Sequence, residues 1–162
     1  MLLNQQQSCS LRLSKLRSFE QLLRRRLRLG RQEFNVCLVD DRAIRRLNHS
    51  FRGMARATDV LSFPWAGPSK VGRRQAGSRI HSARPEFRNF LGDVVISVET
   101  ARRNALKEGH ATSLEIRWLM LHGVLHLLGY DHETDGGEMT ALELDVRERL
   151  GAAGVHRRVR GR

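Results

Sequence analysis

The chain has little of what would cross-link it, anchor it in a membrane or export it. It contains two cysteines, Cys9 and Cys37, which form no Cys-x-x-Cys pair and suggest no disulfide framework. No apolar run approaches the roughly 20 residues needed to span a bilayer. The first residues lack the charged start and long apolar stretch of a secretion signal. We therefore expect a reduced, cytoplasmic protein with no membrane partner.

Acidic residues are also in short supply. Lysine and arginine total 29 against 17 aspartates and glutamates, which gives a net charge of +12 and a pI near 11.4. Such a surface attracts polyanions, because each neutralised phosphate releases counterions. Since no membrane-spanning segment is expected, nucleic acid is the favoured partner.

The length of 162 residues fits a single domain over residues 1–162, large enough to bury a core. We place the globular core at about residues 14–150. Residues 67–89 are rich in glycine, serine and arginine and read as a flexible basic loop. Residues 151–162 read as a basic tail.

Apolar periodicity predicts an α+β fold, a small mixed β-sheet packed with helices. Helices are expected over residues 14–29, after Asp40 or Asp41, over residues 98–108 and from residue 138 onward. Strands are expected at residues 34–39, 60–63 and 91–97, with one more from the N-terminal region. Residues 48–56 read as a loop. The arginines of the first helix are interpreted as a solvated face rather than an RNA contact.

A long apolar segment predicts one buried central helix. Thr112 and Glu115 match a capping box at its start. Apolar residues then occupy almost every face, which is typical of a helix buried on nearly all sides. Four histidines outside this helix have no ligand spacing and are expected at the surface: His49, His81, His110 and His156.

The central helix leads into the stretch H-G-V-L-H-L-L-G-Y-D-H at residues 122–132. His122 and His126 are one helical turn apart and share a face. Gly129 can adopt the left-handed conformation that ends a helix, which lets His132 turn back toward them. Three imidazoles with an open fourth position are the ligand set of a catalytic zinc site. The sequence therefore predicts a metal site.

The spacing is that of metzincin peptidases, with one departure. Those enzymes carry a glutamate as general base directly after the first histidine, whereas this chain has Gly123. The metal-binding half of the motif is present and the peptide-hydrolysing half is missing.

Two further segments complete a family resemblance: T-D-V-L-S-F-P at residues 58–64 and L-G-D-V-V-I-S at residues 91–97. Together with the histidine stretch they make the sequence resemble the YbeY endoribonuclease family over roughly residues 34–150. The resemblance implies a zinc-dependent, single-strand-specific endoribonuclease. It would mature the 3′ end of small-subunit ribosomal RNA and act in ribosome quality control, with no organic cofactor. It places the metal ligands on His122, His126 and His132, and a functionally important arginine on Arg52, which follows Phe51.

The reaction itself is left open by the residues. Either water or the RNA 2′-hydroxyl can attack the phosphorus, and the Arg52 guanidinium can meet the developing charge with two parallel hydrogen bonds. No general base is evident. Each of the carboxylates Asp59, Asp93 and Asp131 could act as the base or could have a purely structural role. A metallopeptidase-like hydrolase and a ribosome-assembly binding protein with a structural metal remain as competing hypotheses.

Overall fold

The computed structural model describes residues 1–65, 89–130 and 136–151. The predicted loop at residues 67–89 and the tail at residues 151–162 lie almost wholly outside these ranges, as do Asp131 and His132. Along the described chain the elements are β1 (Leu2–Asn4), α1 (Leu13–Arg26), β2 (Glu33–Val39), α2 (Asp41–Arg52), β3 (Val60–Pro64), β4 (Phe90–Ser97), α3 (Val98–Glu108), α4 (Thr112–Leu127) and α5 (Glu138–Gly151).

The strands form a four-stranded mixed sheet in the order β1-β2-β4-β3. β1 pairs parallel with β2, β2 pairs parallel with β4, and β3 runs antiparallel to β4. The apolar strand β4 is interior, as its sequence predicts, while β3 ends at Pro64 on the sheet edge, where a proline removes no needed ladder bond. The expected α+β class and the extra N-terminal strand are confirmed.

Alternating side chains of the strands divide the core into two layers. Val94 and Ile96 of β4 join α1, α3, α4 and α5 on one face of the sheet. Val95 points to the other face, where it packs with Leu61 of β3 and Ile44 of α2. The edge strand β3 therefore lies between α4 on one side and α2 on the other.

The helix α4 is buried as predicted, since 8 of its 16 residues are buried. The predicted capping box is wrong. Ala111 is the N-cap and no side chain caps the helix, because Thr112 is already helical and Glu115 faces His110, with His110 Nε2 and Glu115 Oε2 3.2 Å apart. The surface placement of His110 is also wrong, since its side chain is 14% exposed. Burial raises the pKa of Glu115.

The helix α2 is longer than the sequence suggests. Residues 48–52, predicted as a loop, continue the helix until Gly53, whose φ of 68° ends it in the left-handed conformation. Asn48 misled the prediction because it is polar, yet it is buried and its amide donates to the Arg56 carbonyl at 2.9 Å. Arg52 therefore projects from the last turn of a helix.

The start of α2 is anchored at two positions. The Asp40 side chain accepts a hydrogen bond from the Ala43 amide at 2.7 Å and caps the helix. Asp41 accepts from the hydroxyls of Ser97 and Thr100 at the start of α3 and pairs with Arg103 at 2.8 Å. Burial alone would raise the pKa of Asp41, but these hydrogen bonds outweigh it and leave the pKa below its ordinary value. α2 is thereby tied to α3.

No helix in the described ranges combines the length and apolar character needed to cross a bilayer.

Candidate active site at the sheet edge

A cavity of about 480 Å³ opens along the edge strand β3. Its walls come from three elements: α4 above one face of the sheet, β3 at the edge, and the end of α2 on the other face. The lining residues are Arg52, Thr58, Asp59, Val60, Ser62, Pro64, His122, His126, Gly129 and Tyr130. The cavity thus brings together Arg52 and two of the three histidines that the sequence singles out.

His122 and His126 lie one turn apart on α4, with their Nε2 atoms 3.1 Å apart. A neutral imidazole has one N–H donor and one acceptor nitrogen. At this distance, either one ring donates to the other or both direct lone pairs toward a common ion. Both arrangements fit this distance, and both place the two Nε2 atoms at the same point on the surface of α4.

Glu143 of α5 determines which nitrogen of His122 carries the hydrogen. Its Oε2 lies 3.4 Å from His122 Nδ1, and a carboxylate accepts only, so Nδ1 donates and Nε2 keeps its lone pair. Glu143 is 7% exposed and also forms an ion pair with Arg147. Burial alone would raise the pKa of Glu143, but the His122 hydrogen bond and the Arg147 charge hold it below its ordinary value.

Sequence reasoning missed Glu143, although its position carried a signal. Met139 and Val146 form the buried stripe of α5, and Glu143 is spaced between them on the same side of the helix. A carboxylate on a buried stripe requires a partner, because an unpaired buried charge is costly. The sequence could therefore have predicted that Glu143 has a hydrogen-bonding partner such as a histidine.

Gly123, which stands where metzincins carry their glutamate, lies where α4 touches the sheet. A Cβ added there would be 2.4 Å from Val94 Cγ1 and 3.2 Å from Ser62 Oγ, and the Ser62 hydroxyl donates to the Gly123 carbonyl at 3.1 Å. The glycine therefore faces β3 and β4, and the contact leaves no room for a side chain.

The predicted bend after α4 is confirmed. Gly129 has a φ of 95°, and its N–H donates to the His126 carbonyl at 3.0 Å. His132, three residues further on, lies outside the described ranges. Within those ranges no group of three histidine, cysteine, aspartate or glutamate side chains forms a metal site.

Arg52 reaches the cavity from α2, on the opposite side of β3 from the histidines. Asp59 also lines the cavity, but its Oδ1 accepts from the Val60 amide at 2.8 Å and its Oδ2 from Asn104 at 3.4 Å. Asp93 is outside the lining and accepts from Asn35 at 2.9 Å. Asp59 thus links the start of β3 to α3, and Asp93 links β4 to β2.

The fold and the site define an α+β protein in which a histidine pair and an arginine meet at the edge of a mixed sheet. The solution structure of a Thermotoga maritima protein shares the fold, with a TM-score of 0.58 and 23% identity over 100% of this chain and 99% of that one. The family model of endoribonuclease YbeY matches residues 2–151, and this chain belongs to that family.

Curated relatives agree with the family model. Endoribonuclease YbeY of Nautilia profundicola is 44% identical over 119 residues, covering 74% of this chain and 73% of the relative. Endoribonuclease YbeY of Moorella thermoacetica is 41% identical over 128 residues, covering 78% and 74%. The family resemblance drawn from the sequence motifs is confirmed, and with it the class of RNA-cleaving hydrolases.

The close contact at Gly123 makes a stability prediction. In an exposed helix, replacing glycine with alanine stabilises by up to about 1 kcal/mol. Here the added methyl meets Val94, which is fully buried on an interior strand. We therefore expect Gly123→Ala to lower the free energy of unfolding by about 1–3 kcal/mol, measured by urea denaturation.

The matched control is Gly136→Ala, since a Cβ at Gly136 would meet no atom within 4 Å. It should change the free energy of unfolding by no more than about 0.5 kcal/mol. A Gly123→Ala protein as stable as the wild type would show that α4 does not need this contact.

Proposed function

We propose that this protein is a zinc-dependent endoribonuclease that cuts single-stranded RNA. It acts on ribosomal RNA, at the 3′ end of the small-subunit RNA, and contributes to ribosome quality control. The observation that supports this most directly is one cavity, in a chain of the YbeY family, lined by His122, His126 and Arg52. The net charge of +12 supports a polyanionic substrate.

The metal ligands in this proposal are His122, His126 and His132. The donor chemistry fits zinc, since imidazoles are ligands that zinc accepts. The fit is supported by Glu143, which holds the His122 tautomer whose Nε2 is a lone-pair donor. A bound divalent ion supplies Lewis acidity toward a phosphoryl oxygen and lowers the pKa of water.

Arg52 is the proposed phosphate-binding residue. Its side chain forms no hydrogen bond or ion pair with any described residue, and it faces the cavity opposite the histidines. A guanidinium binds two phosphate oxygens in parallel, so it orients the phosphodiester and stabilises the charge that develops on it. A phosphate between Arg52 and the histidine pair would lie directly over the strand edge.

The activity is tested by incubating the purified protein with single-stranded RNA, duplex RNA and casein, with and without a chelator. We expect the single-stranded RNA alone to be cut, and only without chelator. Analysis of the product ends identifies the nucleophile, because attack by the 2′-hydroxyl leaves a 2′,3′-cyclic phosphate. His126→Ala, checked for folding by circular dichroism, should lose both bound metal and cutting.

Other results would contradict the proposal in distinct ways. Cutting of casein would identify a peptidase. A folded wild-type protein that holds metal and binds RNA without cutting it would be a binding protein with a structural metal.

The Arg52 role predicts that Arg52→Lys lowers kcat/KM for single-stranded RNA by about tenfold or more. Lysine keeps the positive charge but offers a point charge in place of the planar two-pronged donor. Steady-state cleavage rates measure the effect. Arg56→Lys is the control, because Arg56 is exposed nearby but is absent from the cavity lining. Equal rates for Arg52→Lys and wild type would remove Arg52 from the mechanism.

Glu143 is proposed as a positioning residue that acts through His122. Glu143→Gln keeps the shape of the side chain, but its amide N–H can donate a hydrogen bond to His122 Nδ1. The tautomer with the hydrogen on Nδ1 and a free lone pair on Nε2 is then no longer selected. We expect zinc affinity, measured by competition with a chromogenic chelator, to fall about 10- to 100-fold. The control Glu138→Gln changes an exposed glutamate of the same helix. Unchanged zinc affinity in a folded Glu143→Gln protein would contradict this role.

A further inference from the structure

The outward face of α2 is a row of positive side chains that ends at the cavity. Ile44 and Leu47 point inward from this helix. Exposed basic residues occupy the other side at helical spacing: Arg42, Arg45, Arg46, His49 and Arg52. Because Arg52 is part of the cavity lining, the row leads into the proposed active site.

The arginines of this row differ from those of α5 in their partners. On α5, Arg147 pairs with Glu143 and Arg149 with Asp145. In the described ranges Arg42, Arg45, Arg46 and Arg52 form no hydrogen bond or ion pair. Guanidinium groups without a protein carboxylate partner are available to bind phosphates.

The other exposed basic helix, α1, lies away from the cavity. It packs beside β1 and α4, and β1 is at the opposite edge of the sheet from β3. α2 packs against β3 and β4. Of these two helices, α2 is therefore the one placed to deliver a substrate to the strand edge.

An exposed aromatic ring lies in the last turn of α2, next to Arg52 in sequence but on the side of the helix that carries Ile44 and Leu47. Phe51 is 66% exposed, and its ring contacts Phe63 edge-on with centroids 4.9 Å apart. Its neighbour Arg52 lines the cavity, as do Ser62 and Pro64 on either side of Phe63. An aromatic face beside a phosphate-binding arginine is the combination that binds single strands, because an unpaired base can stack on it.

We propose that single-stranded RNA reaches the cavity along α2, with Arg45 and Arg46 binding its phosphates and Phe51 stacking on a base next to the bond that is cut. This inference rests on the proposed endoribonuclease function and assigns its strand preference to a residue. In a duplex the bases are paired and stacked within the helix, so Phe51 has no base to receive.

The electrostatic part is tested by fluorescence anisotropy of a labelled single-stranded RNA over a range of salt concentrations. A chelator is added to the RNA measurements to stop cleavage. In a parallel series, binding of single-stranded DNA of the same sequence is measured with the metal-containing protein. Arg45→Gln/Arg46→Gln should weaken binding and reduce the salt slope by about 1.4, since each lost phosphate contact contributes about 0.7. Arg17→Gln/Arg25→Gln removes the same charge from the exposed surface of α1 and should leave the slope unchanged.

The stacking part is tested with Phe51→Leu and Phe51→Trp in the same assay. Leucine keeps an apolar contact with Phe63 but has no ring, so affinity for the single strand should fall about tenfold at an unchanged salt slope. Tryptophan should retain the affinity. The wild type and both Phe51 variants should bind duplex RNA with equal affinity.

The outcomes separate this inference from the function on which it rests. Wild-type protein that cuts single-stranded RNA, together with α2 and Phe51 variants that bind as tightly as wild type, would overturn the α2 pathway alone. An equal loss with the α1 and α2 double variants would also overturn it. Wild-type protein that neither binds nor cuts single-stranded RNA would overturn both.

Discussion

The close contact between α4 and the sheet at Gly123 is the constraint on which the site depends. With no side chain between them, the helix backbone comes near enough to the sheet for Ser62 of β3 to bond the Gly123 carbonyl. The position of the histidine pair relative to β3 is therefore set by packing density, which admits little movement in a core of this kind. The same contact excludes the glutamate that peptidases of similar spacing use as a base, so the helix cannot combine this approach with that chemistry.

Electrostatics then tie α5 to the same place. Glu143 is a buried carboxylate, and removing such a charge from water costs several kcal/mol unless it is paired. His122 and Arg147 provide the pairing, and Arg147 itself lies over the Trp118 ring at 4.8 Å. Removing Arg147 leaves the buried carboxylate without a cation, and removing Glu143 leaves the His122 Nδ1–H without this acceptor. A single charge thereby links the orientation of a proposed ligand to the docking of the last helix.

Local patterns predicted what local forces control. The helical spacing of His122 and His126, the bend at Gly129 and the apolar run of β4 each depend on a few neighbouring residues, and all three are found as predicted. The capping box and the loop at residues 48–56 failed because tertiary partners decided them: Glu115 faces His110, and Asn48 bonds Arg56 from a buried position. Glu143 was missed for the same reason, since its partner is 21 residues away.

The cavity could not be predicted because it exists only once β3 takes the sheet edge. Pairing of β3 with β4 leaves the other side of β3 open, so side chains from both faces of the sheet reach around it. Arg52 is positioned by α2, which is hydrogen-bonded to the start of α3 through Asp41. The histidines are positioned by α4. In the proposed reaction a phosphodiester lies across this edge. One wall carries the Arg52 guanidinium, and the opposite wall would carry the metal ion held by the histidines. Such a site stabilises the negative charge that develops on phosphate oxygens, and this stabilisation requires no side chain at position 123.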